Sequence, residues 1–171
     1  MLTLYLIFGL SLMCNAQIKT YAIHTNASKV GFNVSHLGVL DVDGTFQDFE
    51  GSVSFKNDVL DTIHASISVQ SISTNDDSRD RTLVSESYFN IKSHPTIKFE
   101  SNKIEVSSGE IIGNLTIKNE TRKVVIVFQI SQTKREISLS TQISRKDFKL
   151  KFGAMNSLIG DMVKINVLIN Y

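Results

Sequence analysis

Apolar and polar residues alternate with a period of two along most of the chain after residue 17. Between residues 29 and 36, for example, Val30, Phe32 and Val34 alternate with small or polar residues. Successive side chains of a β-strand point to opposite faces, so this pattern predicts half-buried strands. The same pattern recurs at residues 63–69, 124–130, 137–143 and 163–169.

Short polar segments separate these runs and predict tight turns between antiparallel strands. The segments are Asp43-Gly44, Lys56-Asn57-Asp58, Ser107-Ser108-Gly109 and Lys118-Asn119-Glu120. Counting the runs gives about eight strands longer than the average strand, which suits either a barrel or a sandwich. The length of the strands favours the barrel. The expected fold is therefore all-β, an antiparallel β-barrel of about eight strands.

One long segment, residues 76–90, breaks the alternation and predicts a short helix at about residues 77–86. Asn75, Asp76, Asp77 and Ser78 are residue types that cap a helix or occupy its first turn. A second short helical turn is predicted at residues 156–159, between two strands.

The first residues of the chain resemble a secretory leader. An apolar run from Leu2 to Met13 is followed by Cys14-Asn15-Ala16 and then Gln17. This run is far shorter than the ~20 residues that span a bilayer, so no stable membrane span is expected. We interpret residues 1–16 as a signal peptide and residues 17–171 as one periplasmic or secreted domain. The alternative is a lipid anchor on Cys14, which Met13 disfavours because lipidation prefers a small residue there.

Charge and motifs exclude several other functions. Lys and Arg number 18 against 17 Asp and Glu, so the net charge of +1 predicts no attraction to nucleic acid. The four histidines are widely spaced and lack metal-binding motifs, and no G-x-S-x-G sequence is present. Cys14 is the only cysteine. We therefore predict no catalytic residues, no metal site and no resident cofactor, and hence not an enzyme.

The segment from residue 71 to residue 101 resembles a known family. It contains Ser71-Ile72-Ser73-Thr74, then Arg79-Asp80, Leu83, Ser85 and Tyr88-Phe89, and finally the run HPTIKFES at residues 94–101. Together with weaker matches such as Ser144-Arg145-Lys146-Asp147-Phe148, these residues resemble the YceI-like family of polyisoprenoid- and lipid-binding proteins. The chain departs from the family pattern at His94, where the family usually has tyrosine.

The resemblance implies an extended eight-stranded antiparallel β-barrel of lipocalin-like shape. Its long apolar pocket is expected to hold a polyisoprenoid, an isoprenoid quinone or a fatty chain. A barrel builds such a pocket by pointing alternate side chains inward, although the same side chains can fill it completely. Leu83 and Phe89 are expected to cover one end. The inward candidates are Phe32, Val34, Phe46, Phe55, Ile67, Val69, Ile97, Phe99, Leu115, Ile126, Phe128 and Ile143.

Two polar side chains are candidates for contact with the head group of a lipid. His36 ends a predicted strand and can donate a hydrogen bond, and Arg79 can bind an anion. The competing interpretations are that backbone groups satisfy His36 and that Arg79 pairs with Asp76, Asp77 or Asp80.

The predicted function is a carrier of hydrophobic small-molecule lipids. Two other classes stay open from the sequence. One is a structural or partner-binding barrel without ligand. The other is an outer-membrane barrel, because Val163 to Tyr171 alternates and ends in an aromatic residue. A homodimer is also left open.

Overall fold

The computed structural model describes residues 17–36, 38, 40–151 and 156–171. In these residues it contains one antiparallel sheet of eleven strands and one α-helix. The helix, α1, covers Asp77–Val84 and lies between the sixth and seventh strands. The strands are β1 (Ile18–Ala22), β2 (Lys29–His36), β3 (Leu40–Phe46), β4 (Phe49–Lys56), β5 (Val59–Ser68), β6 (Ile72–Ser73), β7 (Thr96–Glu105), β8 (Glu110–Ile117), β9 (Glu120–Ser131), β10 (Glu136–Ser144) and β11 (Ile159–Asn170).

The sheet curls around its own apolar face and forms a half-barrel. Its strand order is β1-β4-β5-β7-β8-β9-β10-β11-β2-β3-β6. Two backbone hydrogen bonds join residues 47–48 to residues 68–71. The N–H of Gln47 donates to Ser71 O at 3.2 Å, and the N–H of Ser68 donates to Asp48 O at 2.9 Å. These bonds hold the connection between β3 and β4 against the connection between β5 and β6. One contiguous core fills much of the concave side.

The prediction of an all-β antiparallel fold is confirmed, but the prediction of eight strands is wrong. The alternation could not reveal the shortest strands. β1 has five residues and β6 has two, and two residues carry no periodic signal. The signal peptide predicted for residues 1–16 lies outside the described residues.

Two of the predicted hairpin turns have the left-handed backbone that tight turns need. Asn57 and Asp58 have φ angles of 52° and 63°, and Lys118 and Asn119 have φ angles of 51° and 63°. Positive φ at both central residues is the geometry that matches the twist of antiparallel strands. The turn before β8 ends at Gly109, with φ of 67°. These three turn predictions are confirmed.

The turn predicted at Asp43-Gly44 is wrong, because both residues lie within β3 and pair with β2. Gly44 lies opposite Phe32, whose ring occupies the space above the glycine. The ring also packs on Phe46, with 5.6 Å between the ring centroids. Glycine is present here to accommodate an aromatic ring and not to turn the chain.

The helix begins where the sequence predicted. The side chain of Asp76 accepts hydrogen bonds from the backbone N–H groups of Ser78 and Arg79, both at 3.0 Å. The helix ends at Val84, two residues earlier than expected.

The second predicted helical turn is wrong. Residues 156–158 form a non-helical turn, and β11 begins at Ile159. Short 3₁₀ turns lie instead at Thr25–Ala27, Val69–Ser71 and Arg145–Phe148.

The two ends of the half-barrel differ in construction. The end with the β4–β5, β7–β8 and β9–β10 turns is filled by Tyr21, Phe55 and Tyr171, whose ring centroids lie 5.1 to 6.0 Å apart. The guanidinium of Arg135 lies 4.6 Å from the ring centroid of Tyr21 and 5.5 Å from that of Tyr171. We call this the closed end. The opposite end carries the β2–β3, β8–β9 and β10–β11 connections and α1, and we call it the α1 end.

The outward face of the sheet is mainly polar, and Val125 and Val127 of β9 are exposed apolar exceptions. Lys98, Glu100, Lys123 and Lys164 are exposed, while their neighbours along the strands point into the core. Barrels embedded in an outer membrane have the reverse arrangement, with an apolar band outside. This polarity disfavours the outer-membrane interpretation. Separately, none of the described helices has the length and apolar character of a membrane span.

We predict that Gly44→Ala destabilises the protein by about 1–3 kcal/mol, because the added methyl group forces Phe32 to move. A Cβ at Gly44 would lie 2.1 Å from Cζ of Phe32. Gly31→Ala is the matched control on the neighbouring strand, since its nearest non-adjacent atom is Asn166 O at 3.4 Å. Urea unfolding midpoints measure the difference. Equal midpoints for the two variants would contradict the role assigned to Gly44.

Candidate functional site

The concave face of the sheet encloses a cavity of about 430 Å³. Its walls are mainly aliphatic and aromatic side chains from β2, β3, β5, β7, β8, β9, β10 and β11, and from α1 and the loop after it. Ligand cavities in proteins have about this size and character. The interior is therefore not filled completely by side chains.

Burial along the cavity wall changes from one end of the molecule to the other. On β2, Val30 is buried near the closed end, whereas Phe32 and Val34 are only half-buried. On β11, Ile169 is buried and Val163 is half-buried. The apolar wall is consequently packed near the closed end and accessible near the α1 end.

Most of the residues predicted to bind ligand line this cavity. They are Phe32, Val34, His36, Phe46, Ile67, Arg79, Leu83, Phe89, Ile97, Phe99, Leu115, Ile126 and Ile143. Three predicted residues lie elsewhere. Phe55 belongs to the aromatic cluster at the closed end, Val69 is buried in a 3₁₀ turn, and Phe128 is buried in β9. The period of two assigns a side chain to the inner face but not to a depth along the barrel. That these lining residues contact a ligand stays a prediction.

Several lining residues were not among the candidates. Val163, Ile165 and Val167 form the β11 wall, and their alternation in the sequence was a sufficient signal for it. Thr74 and Arg145 also line the cavity. Thr74 is held by Arg79 and Asp80, close to it in the chain, and Arg145 mainly by residues 156–160, but alternation carries no signal for either set of hydrogen bonds.

Thr74 organises the polar wall beside α1. It is buried, and its Oγ1 donates to Oδ1 of Asp80 at 2.6 Å. Arg79 donates from Nε to Oγ1 of Thr74 at 2.7 Å and from Nη2 to the Thr74 carbonyl at 2.8 Å. Arg79 is thus held by a threonine and not by the carboxylate pairing considered from the sequence. Its backbone N–H is the main cause that lowers the pKa of Asp76, which its charge lowers further.

Arg145 organises the opposite side of the α1 end. Its side chain is 1% exposed, and its Nε donates to Gly160 O at 2.9 Å. Nη1 donates to Leu150 O at 2.8 Å and to Oδ1 of Asn156 at 2.7 Å. Nη2 donates to Asn156 O at 2.9 Å and to Ile159 O at 3.0 Å. All five guanidinium donors are used, so Arg145 holds the ends of the β10–β11 connection at the cavity wall.

Burial and neighbouring charges have opposite effects on the pKa values of Arg145 and Asp161. Burial lowers the pKa of Arg145, and the nearby charge of Asp161 acts against this effect. Burial likewise disfavours ionisation of Asp161, but a hydrogen bond from Ser144 and the charges of Lys146 and Arg145 keep its pKa below the ordinary value. Because its pKa lies below the ordinary value, Asp161 is ionised near neutral pH and places a negative charge beside Arg145. Among the residues described, no three His, Cys, Asp or Glu side chains are grouped so as to hold a metal ion.

A curled antiparallel sheet around an apolar cavity defines a class of small-molecule-binding β-proteins. Residues 21–171 match the family model of the YceI-like domain, and the chain therefore belongs to the YceI-like family. A UPF0312 protein of Photorhabdus laumondii is 31% identical over 135 residues, which cover 71% of this chain and 70% of the relative. A UPF0312 protein of Pseudomonas aeruginosa is 37% identical over 101 residues, which are 57% of this chain and about half, 53%, of that relative.

Solved structures share the fold. BcnA of Burkholderia cenocepacia superposes with a TM-score of 0.78 at 22% identity, over 86% of this chain and 98% of that one. A polyisoprenoid-binding domain from Saccharophagus degradans gives a TM-score of 0.68 at 14% identity, over 90% and 97%. A YCEI protein of Campylobacter jejuni gives 0.62 at 22% identity, over 80% and 89%. At these identities the likeness establishes the architecture.

We predict that Arg145→Met destabilises the protein by about 3 kcal/mol or more, because several buried carbonyl groups lose their donor. Methionine keeps most of the volume, so the loss reports the hydrogen bonds. Lys146→Met is the matched control, since its side chain is 55% exposed and should change stability by less than about 0.5 kcal/mol. Chemical denaturation of both variants measures this. A loss under about 1 kcal/mol for Arg145→Met would show that water replaces the guanidinium.

Proposed function

We propose that the protein binds and carries a polyisoprenoid, an isoprenoid quinone or a fatty-chain lipid in its apolar cavity. The observation that carries this proposal is the half-buried apolar wall formed by β2 and β11. Apolar surface that faces a cavity and water is unfavourable, and a lipid chain would cover it. The relative from Saccharophagus degradans, which is described as polyisoprenoid-binding, supports the same class of ligand.

The hydrophobic effect is large enough to make such binding useful without strong polar contacts. Burying roughly 500 Å² of a lipid chain contributes about 12 kcal/mol at ~25 cal/mol per Å². Association and the ordering of a flexible chain offset much of this gain. Micromolar to nanomolar affinity remains, and chains that differ by one methylene are distinguished by only about 1–3 kcal/mol.

The polar side chains near the α1 end select among the head groups of lipid ligands. His36 ends β2, lines the cavity and is half-buried. Arg79 lines the cavity too, although two of its donor groups already bind Thr74. We infer that His36 donates a hydrogen bond to the ligand and that Arg79 shapes the wall and adds positive charge beside it.

We predict that Val34→Trp lowers the amount of lipid that copurifies with the protein by about tenfold, because the indole occupies accessible space in the cavity. Val34 is half-buried there, so the larger ring has room. Val125→Trp is the control, since Val125 is 50% exposed on the outside of β9. Native mass spectrometry and organic extraction measure the bound mass, and thermal unfolding checks the fold.

Two results would contradict the carrier function. One is the absence of lipid from wild-type protein that also fails to take up added polyprenol. The other is full biological activity of a folded Val34→Trp variant that has lost its lipid, which would favour a structural or partner-binding role.

We also propose that the protein is exported and that residues 1–16 are removed, so that the periplasmic or secreted protein begins at Gln17. N-terminal sequencing and intact mass of protein recovered outside the cytoplasm test this. Lipid anchoring would instead give a chain that begins at Cys14 and carries acyl mass. A cytoplasmic protein that retains Met1 would contradict both forms of export.

A further inference from the structure

The apolar cavity ends inside the molecule, on the side of the closed end, at a set of buried side chains. Toward that end, Leu139 is the last residue of β10 that lines the cavity, Ile126 is the last of β9 and Ile63 is the last of β5. These three residues are between 1% and 8% exposed. We call Leu139, Ile126 and Ile63 the floor.

A packed layer lies directly beside and behind the floor. The cross-strand partners of the three floor residues are Phe128, Ile111 and Val53. None of these partners lines the cavity, and they are only 0–5% exposed. The boundary between lining and packed side chains therefore runs obliquely from strand to strand, as the tilt of strands in a barrel requires. Within the described residues, the cavity is blind at the closed end.

The volume of the cavity limits how much of a lipid chain can be enclosed. An apolar cavity of about 150 Å³ holds one benzene molecule in another protein. The cavity above the floor has a volume of about 430 Å³. By this scale it accommodates about three groups of six carbons, or roughly 15–18 carbons.

The depth of the cavity gives a second estimate of the same limit. On β2 the lining residues run from Val30 to His36, which at ~3.3 Å per residue is about 20 Å along the strand. A strand tilt of about 40° reduces this to about 15 Å of depth. Carbon–carbon bonds of about 1.5 Å extend a zigzag chain by roughly 1.3 Å per carbon, so this depth matches about 12 carbons.

The two estimates also fix where the head group of a ligand lies. With its tail on the floor, a chain of this length places its head group beside His36 and Arg79, which line the cavity and are half-buried. A shorter chain leaves part of the apolar wall uncovered. A longer chain moves its head group beyond His36 and leaves the additional carbons in water.

We propose that the floor makes the site selective for hydrocarbon chains of about 12–18 carbons, either a farnesyl-type isoprenoid or a long fatty chain. The inference rests on the proposed lipid-binding function and deepens it by naming the length of chain that the site encloses. Each buried methylene group strengthens binding, so affinity rises with chain length up to this limit and then stays level. A longer polyprenyl chain is enclosed only in part.

Competition binding with a series of alcohols tests the length limit. Linear alcohols of eight to twenty-two carbons, and geraniol, farnesol and geranylgeraniol, displace a fluorescent fatty alcohol from the full chain. Below the limit, each added carbon is expected to increase the affinity by about two- to fourfold. Above the limit, added carbons are expected to leave the affinity unchanged.

Variants of the floor are expected to move the limit in opposite directions. Ile63→Ala removes buried atoms from the floor and is expected to extend the limit by about two carbons. Ala65→Leu adds atoms two residues along β5, at a half-buried position that lines the cavity, and is expected to shorten the limit by about two carbons. Val69→Ala is the control, since Val69 is 1% exposed and does not line the cavity. Thermal unfolding checks that each variant is folded.

The outcomes separate this inference from the function on which it rests. Affinity that rises without a break through twenty-two carbons, or that levels off before ten, overturns the length limit and leaves the carrier function intact. A wild-type limit in both folded variants, Ile63→Ala and Ala65→Leu, overturns the role of the floor. All variants meet the same ligand solutions, so aggregation of long alcohols shifts every curve equally.

Two further results complete the test. Failure of the wild-type protein to bind any alcohol contradicts the carrier function and overturns the length limit with it. At equal carbon number, tighter binding of farnesol than of the linear alcohol supports the isoprenoid form of the proposal, and the reverse order supports the fatty-chain form.

Discussion

The buried guanidinium of Arg145 is the interaction on which the α1 end depends. β10 and β11 are joined by a connection that lies partly beneath the surface, and its carbonyl groups need donors that neither strand supplies. A single planar group with five N–H donors satisfies several of them at once. Burial disfavours the charge, as the lowered pKa of Arg145 indicates, so the hydrogen bonds must compensate for desolvation. The hydrogen bonds hold the backbone of Leu150, Asn156 and Ile159 together, next to the buried side chain of Phe148.

At the closed end, in contrast, apolar side chains pack the interior of the sheet. Tyr21, Phe55 and Tyr171 fill the interior with aromatic rings, and Arg135 covers the two tyrosines. Burial raises the pKa of Tyr171, partly against the effect of Arg135, so this ring stays neutral under ordinary conditions. In the described residues, the curled sheet is packed at one end and bounded by loops and a helix at the other, so its interior is more accessible from the α1 end. The gradient of burial along β2 and β11 is the result of that asymmetry.

The sequence predicted features that depend on nearest neighbours and missed those that depend on distant ones. Alternation predicted the long strands, and Asp76 predicted the start of α1, because each signal is contained within a few residues. Gly44 was misread as a turn because the reason for glycine is the ring of Phe32, twelve positions earlier. Phe55 and Phe99 were equivalent by pattern, yet one packs in the closed end and the other lines the cavity. Depth along the barrel is set by register and stagger, which alternation does not encode.

Stability and ligand binding are coupled through the same wall. Phe32 shows this clearly, because its ring packs on Phe46 and Gly44 on one side and faces the cavity on the other. An apolar wall that is left half-buried contributes less to folding than a packed one, and a ligand that completes its burial adds the missing contribution. The proposed carrier function also requires release of the ligand, which a tightly closed core would prevent. Incomplete packing on β2 and β11 is thus a feature of the fold that lowers the stability of the empty protein and makes reversible lipid binding physically feasible.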